Sequence, residues 1–270
     1  MPTAPRLYCP GPLQGGAVRA LPAGAARHAQ VLRLQPGDAL VLFDGSGGEW
    51  DACIARMGRS EVLVETLRHR PVEREAARRV HLAAACIAAE RMDWLIEKAT
   101  ELGAVGITPI LAARSAARFG AERAERRLAH WRAIAQAACE QCGRNRLPRI
   151  EPISSLGDWL AALAGRPATG GAPIPLDTPD PAPGDAVPGT DAGPRLLLSL
   201  APGATALGAV AAQATRGTGA VTLLSGPEGG FSPDEEAAAQ AAGFQTVTLG
   251  ERVLRAETAP LAALAALTLL

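Results

Sequence analysis

The hydrophobic pattern of this chain changes its period near Pro71, and this change constrains the fold more than any other feature. Before it, residues 49–55 and 61–67 alternate between apolar and polar, which is typical of half-buried strands. After it, apolar runs of strand length alternate with helical segments, which is typical of parallel strands joined by crossover helices. The sequence therefore predicts a small antiparallel barrel over residues 1–72 and an α/β domain over residues 73–270.

The two predicted domains divide into elements whose bounds follow from the same patterns. In the barrel, residues 28–34 predict a short helix. In the α/β domain, we predict strands over residues 80–87, 106–111, 149–153, 195–200, 220–225 and 244–249. The predicted helices cover residues 92–102, 121–141, 156–164, 204–214, 233–242 and 257–269. Between residues 166 and 194 the chain has almost no large apolar side chain, so we predict a disordered surface insertion there.

Composition excludes several classes of protein. Aromatic residues make up only 3% of the chain, which disfavours proteins that stack bases on rows of aromatic side chains. The longest uncharged apolar stretch, residues 258–270, is shorter than the roughly 20 residues that span a bilayer, and no signal-peptide pattern is present. Five cysteines are an odd number for a disulfide framework. We therefore predict a cytoplasmic protein with reduced thiols and no membrane partner.

A CxxC pair, Cys139 and Cys142, ends the predicted helix over residues 121–141. A zinc site or a redox pair would be the functional interpretation. A second CxxC is missing, however, and His130 lies on the preceding helix rather than in a knuckle. We therefore predict core packing for these thiols and no metal site.

Nine arginines stand against three glutamates between residues 114 and 149, a local net charge of +6 in a chain of net charge zero. One interpretation is a solvated helix face with pairs such as Glu122 and Arg126. The other is a contact with a polyanion, because neutralised phosphates release counterions. Pairing along the helix would leave the turn at Arg144 and Arg146 exposed, so the second interpretation is favoured there.

The most specific motif is a glycine loop, Gly226-Pro227-Glu228-Gly229-Gly230, between a predicted strand and a predicted helix. Ser232, followed by Pro and by Glu three residues on, predicts a helix N-cap. A strand, a glycine loop and a helix expose backbone donors at the carboxyl end of a sheet. The loop could hold a phosphate or only turn the chain, and because no lysine follows it, a P-loop is excluded.

A second polar loop follows the next strand and reads LGERVLRAETA over residues 249–259. It leads into an apolar helix that Glu257 and Thr258 can cap. Because the carboxyl ends of parallel strands meet at one edge of a sheet, we expect both loops to converge on one cleft.

Together with four further motifs, these loops resemble a known family. The further motifs are FDGS at 43–46, EKATELG at 97–103, ITPI at 107–110 and ACEQCGRNR at 138–146. The pattern resembles the bacterial 16S ribosomal RNA (uracil N3) methyltransferases of the SPOUT superfamily. The resemblance covers nearly the whole chain, and only the insertion at residues 166–194 stands outside it.

This resemblance implies a trefoil-knotted α/β methyltransferase domain, preceded by a PUA-like β-barrel that binds RNA. It further implies a homodimer that uses S-adenosylmethionine, and no metal, to methylate N3 of uracil 1498 in 16S rRNA. The substrate would be the free RNA or the assembled small ribosomal subunit. The alternative is a non-catalytic RNA-binding or ribosome-assembly module on the same fold, although two intact loops argue against lost chemistry.

The resemblance places the cofactor loops, and the chemistry of the implied reaction and the local charge suggest further site residues. As uracil loses its N3 proton, negative charge spreads onto its two oxygens, which a fixed guanidinium can stabilise. Arg255 is the first candidate for this catalytic role and Arg252 the second; the alternative for either is an ion pair with Glu257 or Glu251. The predicted cofactor-binding residues are Leu198, Ser199, Leu200, Gly226, Pro227, Glu228, Gly229, Gly230, Leu249, Gly250, Arg252, Val253, Leu254, Arg255 and Thr258. The predicted RNA-binding residues are Arg114, Arg144, Asn145 and Arg146.

Overall fold

The structure, a computed structural model, describes residues 4–115, 119–164, 193–214 and 220–269. Except for its last two residues, the predicted insertion at 166–194 lies outside the described residues. The described chain forms two compact units. The first contains the stretch up to Glu75 together with Cys139–Leu147, and the second contains the rest. The predicted domain boundary between residues 72 and 73 stays a prediction.

The first unit is built on a five-stranded sheet with the order β1-β3-β4-β5-β2. β3, β4 and β5 pair antiparallel as predicted, but β1 pairs parallel with β3, so the prediction of a wholly antiparallel barrel is wrong. β1 and β2 have three residues each, too few to show a period in the sequence. The elements are β1 (Arg6–Tyr8), β2 (Val18–Ala20), α1 (Ala23–Val31), β3 (Ala39–Phe43), β4 (Glu49–Met57) and β5 (Val62–Arg70).

Helix α1 begins five residues before the predicted helix over 28–34. Pro22 occupies its N-cap position, where the missing N–H costs no hydrogen bond. The helix cannot reach residue 34, because Arg33 adopts a left-handed conformation with φ of 57°.

One buried carboxylate, Glu49, holds three arginines together in the first unit. It is 1% exposed, and its oxygens lie 2.5 Å from Arg6 Nη1, 2.8 Å from Arg70 Nη2 and 2.9 Å from Arg74 Nη1. Burial alone would raise the pKa of Glu49, but hydrogen bonds from Arg74 and Arg6 outweigh it and lower the pKa to about 2. The carboxylate is therefore charged throughout the physiological pH range.

The second unit is a parallel α/β structure, as predicted. Its strands have the order β11-β13-β10-β12-β6-β7-β8, with β9 also paired to β7, and every pair is parallel. The elements are β6 (Val80–Ala85), α2 (Ala89–Glu101), β7 (Ala104–Leu111), α3 (Ala121–Cys142), β8 (Arg149–Ile150), β9 (Ser154–Ser155), α4 (Leu156–Ala164), β10 (Arg195–Leu198), β11 (Thr205–Ala206), α5 (Leu207–Ala214), β12 (Val221–Ser225), α6 (Pro233–Ala241), β13 (Phe244–Thr248) and α7 (Thr258–Thr268).

Three predicted elements of this unit differ clearly from the structure. Helix α2 begins at Ala89, three residues before the predicted helix over 92–102. Of the strand predicted over residues 149–153, only Arg149 and Ile150 form a strand, since Pro152 has no N–H to donate to a ladder. The helix predicted from residue 204 starts at Leu207, because Thr205 and Ala206 pair with β13.

Successive leucines of the inner strands bury opposite faces of this sheet. Leu196 and Leu223 belong to one apolar cluster, while their neighbours Leu197 and Leu224 belong to another. This is the two-residue period of a strand with both faces covered, which explains why these strands are uninterrupted apolar runs in the sequence.

We expect Glu49→Gln to destabilise the protein near neutral pH and to flatten the acid dependence of its stability. The folded-state pKa of about 2 lies below the ordinary 4.5. The stabilisation from this group is therefore fully present above the ordinary value and is lost as the pH falls through about 2. Breaking such a buried pair costs about 3 kcal/mol. Urea unfolding at pH 7 and pH 3 should show a larger loss at pH 7.

A matched control is Glu61→Gln, because Glu61 is an exposed carboxylate of the same unit that pairs with the exposed Arg56. Exposed pairs contribute little, so this variant should unfold like the wild type at both pH values. Equal losses in the two variants would show that the Glu49 network does not stabilise the unit.

Candidate functional site

Three loops lie side by side at the carboxyl edge of the parallel sheet. Strand β10 pairs with β12 on one side and with β13 on the other. The chain leaves these strands at Ser199, at Gly226 and at Leu249, respectively. The prediction that the glycine loop and the 249–259 loop share one edge of one sheet is confirmed, and residues 198–200 lie between them.

Part of the glycine loop is exposed to solvent, including the backbone of its last two residues. Gly230 N donates to Pro227 O at 2.9 Å, and Gly230 has a φ of 66°, a conformation that favours glycine. Glu228, Gly229 and Gly230 are exposed, while Pro227 is buried. A Cβ on Gly230 would meet no atom within 4 Å, so the space beside the loop is open.

The predicted N-cap of the following helix is confirmed. Ser232 Oγ accepts a hydrogen bond from Glu235 N at 3.2 Å, and the Glu235 carboxylate accepts one from Ser232 N at 2.8 Å. This reciprocal capping box fixes where the loop ends and α6 begins.

Arg114, a predicted RNA-binding residue, forms a hydrogen bond with the glycine loop. Its Nη1 donates to Gly229 O at 2.8 Å and to Phe231 O at 3.3 Å. A Cβ on Gly229 would come within 3.3 Å of the Arg114 side chain. The sequence shows no signal for this contact, because 115 positions separate the two residues.

Glu257 does not have the role predicted from the sequence. It occupies the N-cap position of α7 but makes no side-chain capping hydrogen bond, so the prediction of a glutamate cap is wrong. The residue is 8% exposed, and its Oε1 lies 3.9 Å from Arg91 Nε. Its buried Oε2 has no hydrogen-bond partner among the described residues. One acceptor at this edge is therefore unsatisfied.

Arg91 is a site residue that the sequence analysis missed. It lies in the first turn of α2, and its Nη1 donates to Glu228 Oε1 at 3.5 Å. The same glutamate oxygen lies 3.4 Å from Ala88 N. Arg91 thus stands between carboxylates of both loops, Glu228 and Glu257. The available signal was its position just after β6, the strand next to β12.

Arg252 and Arg255 are exposed on the 249–259 loop. Within the described parts of the chain, neither guanidinium has a carboxylate within 4 Å, so the alternative of an ion pair with Glu251 or Glu257 is not observed. Leu200 and Val253 are also exposed on neighbouring loops, at 63% and 77%. The edge therefore combines free positive charge with exposed apolar surface.

The turn predicted to expose Arg144, Asn145 and Arg146 is packed into the first unit. Arg144 is 4% exposed and forms an ion pair with Glu75, while Asn145 is fully buried and donates to Val72 O at 2.6 Å. Arg146 is partly exposed, and its Nε lies 3.4 Å from Glu73. The prediction of an exposed basic turn is wrong, and the contacts of Arg144 and Asn145 stabilise the first unit.

The remaining arginines of the basic stretch mostly have partners too. Arg126 pairs with Glu122 at 3.1 Å, Arg149 pairs with Glu151 at 3.4 Å, and Arg132 donates to Ile150 O at 3.3 Å. Most of the described arginines of this stretch therefore contact internal acceptors, and Arg118 lies outside the described residues.

Nucleophilic thiol chemistry is disfavoured at the buried cysteines. Burial raises the pKa values of Cys86 and Cys139 to about 12, so both stay protonated. In the described ranges, His, Cys, Asp and Glu side chains form no group of three that could hold a metal ion. Of the described helices, none is both long and apolar enough to span a membrane.

We expect Arg114→Ala to loosen the glycine loop. Removing two charge-assisted contacts to carbonyl oxygens should speed amide exchange in a peptide covering residues 226–232 by roughly tenfold. Hydrogen–deuterium exchange with mass spectrometry measures this. Arg126→Ala is the matched control, because it removes an exposed arginine that pairs within its own helix. Equal exchange in both variants would contradict the inference that Arg114 stabilises the glycine loop.

Comparison with known proteins identifies two matching family models. An RNA methyltransferase domain matches residues 74–172 and 188–268, and an RNA methyltransferase PUA domain matches residues 21–67. Together they cover more than half of the chain. The PUA match lies inside the first unit, and the methyltransferase match covers most of the second.

Curated relatives share one name, ribosomal RNA small subunit methyltransferase E. The Synechocystis protein is 32% identical over 237 residues, which cover 87% of this chain and 67% of the relative. The Mycobacterium bovis protein is 32% identical over 256 residues, which cover 94% and 87%.

Solved structures agree over nearly the full length. A ribosomal RNA small subunit methyltransferase E from Neisseria gonorrhoeae, bound to S-adenosylmethionine, has a TM-score of 0.81 and 34% identity, covering 98% of this chain and 96% of that one. A Legionella pneumophila protein in complex with the same cofactor has a TM-score of 0.82 and 31% identity, covering 98% and 97%. The chain therefore belongs to the ribosomal RNA small subunit methyltransferase E family.

Proposed function

We propose that this chain transfers a methyl group from S-adenosylmethionine to N3 of uracil 1498 in 16S rRNA. The observation that carries the proposal is the convergence of three loops, among them the open glycine loop, at one edge of the sheet. Membership of the family supports it, as do the two structural neighbours, which were solved with this cofactor.

The residues at this edge fit the cofactor. Gly230 is exposed and has open space beside it, which leaves room for close approach of a ligand to the backbone, while the exposed Gly229 lies against Arg114. S-adenosylmethionine carries ammonium, amino and hydroxyl donors, and Glu257 offers a buried acceptor that lacks a partner in the described structure. The cofactor-binding residues predicted from the sequence are part of this proposal. We add Arg91 and Glu257, because Arg91 lies beside Glu228 of the glycine loop and beside Glu257 of the 249–259 loop.

When bound, the sulfonium supplies an electrophilic methyl group. The task left to the protein is to orient the acceptor base and to stabilise the charge that appears as N3 loses its proton. Arg255 and Arg252 are exposed cations with no ion pair to any described residue, so either can face the uracil oxygens without first breaking one. A general base is not assigned.

Several further features belong to the same proposal. They are a trefoil knot in the methyltransferase domain, RNA binding by the PUA-like domain, action in the cytoplasm and a homodimer. Leu200 and Val253 are exposed apolar side chains on neighbouring loops, and their burial on association would favour the dimer.

The test of this function uses the full chain, S-adenosylmethionine and 16S rRNA, with sedimentation to measure the oligomeric state. We expect a calorimetric titration to show cofactor binding, and mass spectrometry to place one methyl group on the target uracil. An RNA with cytosine at that position should not be methylated. A chain that binds RNA but neither binds the cofactor nor transfers methyl would support the non-catalytic module instead.

We expect Arg255→Ala to lower kcat far more than it raises KM for RNA. The charge that Arg255 stabilises develops in the transition state, and removal of one preorganised donor costs on the order of a hundredfold to a thousandfold. Arg255→Lys keeps the charge but loses the planar guanidinium, so it should recover only part of the rate. The defect should shrink at alkaline pH, where more uracil is already deprotonated.

A different outcome would assign Arg255 to structure. If the defect does not change with pH and calorimetry shows weaker cofactor binding, the side chain holds the loop and does not act on the base.

A further inference from the structure

A second concave feature lies at the same edge of the sheet, between the start of α2 and helix α3. It is a cleft of about 210 Å³, and the residues on which the argument rests are Cys86, Ala88, Phe119, Arg123, Arg127 and Trp131. All of them belong to the second unit. The proposed transfer reaction does not use this cleft.

The cleft has two arginines and little negative charge to balance them. Arg123 has no carboxylate within 4 Å in the part of the chain that the structure describes, and its guanidinium lies over the Phe119 ring, 5.8 Å from the centroid. Arg127 Nη1 lies 3.9 Å from Asp93, at the limit of an ion pair. Both guanidiniums are therefore available to an anion.

Both carboxylate oxygens of Asp93 have close contacts with other side chains. Trp131 Nε1 donates to one of its oxygens at 3.0 Å, and His130 Nε2 lies 2.8 Å from the other. Both oxygens of Asp93 thus have closer contacts, and its negative charge lies 3.9 Å from Arg127 Nη1. The uncompensated positive charge of the cleft is therefore mainly that of Arg123. Because Arg127 is not needed to satisfy Asp93, the local fold should survive its replacement.

The floor of the cleft is apolar and carries no ionised group. Cys86 is 1% exposed, and burial raises the pKa of its thiol to about 12. Trp131 is 2% exposed, and its only donor is used by Asp93. Two arginines beside buried apolar side chains suit a phosphate group attached to a nucleoside, since arginine binds phosphate oxygens in a planar, bidentate manner.

The cleft adjoins the glycine loop through one residue. Ala88 lines the cleft, and its N–H lies 3.4 Å from the carboxylate of Glu228. A ligand in the cleft would therefore lie next to the edge at which methyl transfer is proposed.

We propose that this cleft binds a phosphodiester of the substrate RNA, close to the nucleotide that is methylated, with Arg123 and Arg127 as the phosphate ligands. The inference rests on the proposed function. It transfers the phosphate-binding role from Arg114 and Arg144, whose guanidiniums contact internal acceptors, to arginines of the same basic stretch that remain available.

The experiment compares Arg123→Ala/Arg127→Ala with Arg126→Ala. Arg126 lies on the same helix but is 71% exposed and pairs with Glu122, so its removal changes the net charge without changing the cleft. We expect the double variant to bind RNA at least about tenfold more weakly. The slope of log affinity against log salt should fall by roughly one unit for each phosphate that is no longer neutralised, while cofactor affinity stays at the wild-type value.

Arg123→Lys separates charge from geometry. It keeps the cation but loses the planar group over Phe119, so the salt slope should remain near the wild-type value while affinity falls by about threefold. In turnover assays, the double variant should raise KM for RNA and leave kcat nearly unchanged.

Two outcomes would overturn the proposal. The first is a double variant with the same RNA affinity and salt slope as Arg126→Ala. The second is a double variant whose sedimentation changes from dimer to monomer, which would make the cleft an interface between copies of this chain. Failure of the proposed function is distinguishable, since the wild-type chain itself would then not transfer methyl.

Discussion

Parallel pairing of β13, β10, β12 and β6 is the constraint on which the site depends. Parallel neighbours cannot be joined by a tight turn, so the chain must cross a face of the sheet between them, in most cases as a helix, and the carboxyl ends reach the same edge. This brings Arg91, Glu228 and Glu257 together although they lie far apart in the chain. It also explains why both faces are apolar, because the crossover helices cover them and leave only the edge for polar chemistry.

The glycine loop is held by contacts from outside itself. Arg114 donates to the carbonyl oxygens of Gly229 and of Phe231, the residue after the loop, and Arg91 contacts the loop's glutamate. The capping box at Ser232 fixes where the following helix begins. Held in this way, the exposed backbone of Gly229 and Gly230 needs little rearrangement to accept a ligand. Preorganisation of this kind lowers the cost of binding and of orienting the reacting groups.

In a chain where all but one of 27 basic residues are arginine, function depends on which guanidiniums lack an internal acceptor. Arg6, Arg70 and Arg74 surround Glu49, and Arg144 pairs with Glu75, so these cations stabilise the first unit. A buried carboxylate needs such partners, because desolvation would otherwise drive it to protonate. At the carboxyl edge, Arg123, Arg252 and Arg255 have no carboxylate within 4 Å among the described residues, and Arg127 has only Asp93, at 3.9 Å. These four are the arginines that we propose to contact the anionic substrate.

Local signals in the sequence determined most of the second unit. The period of its apolar residues predicted the parallel strands, and Ser232 with Glu235 predicted the helix start, since both depend only on near neighbours in the chain. The sequence also placed the two polar loops at one edge. What only the tertiary structure decided were pairings between distant segments: β1 beside β3, Arg114 on Gly229, Arg144 on Glu75 and Glu257 beside Arg91. An arginine in an exposed turn and an arginine in a buried ion pair look identical in a sequence, because the partner that compensates for its burial comes from a segment many residues away.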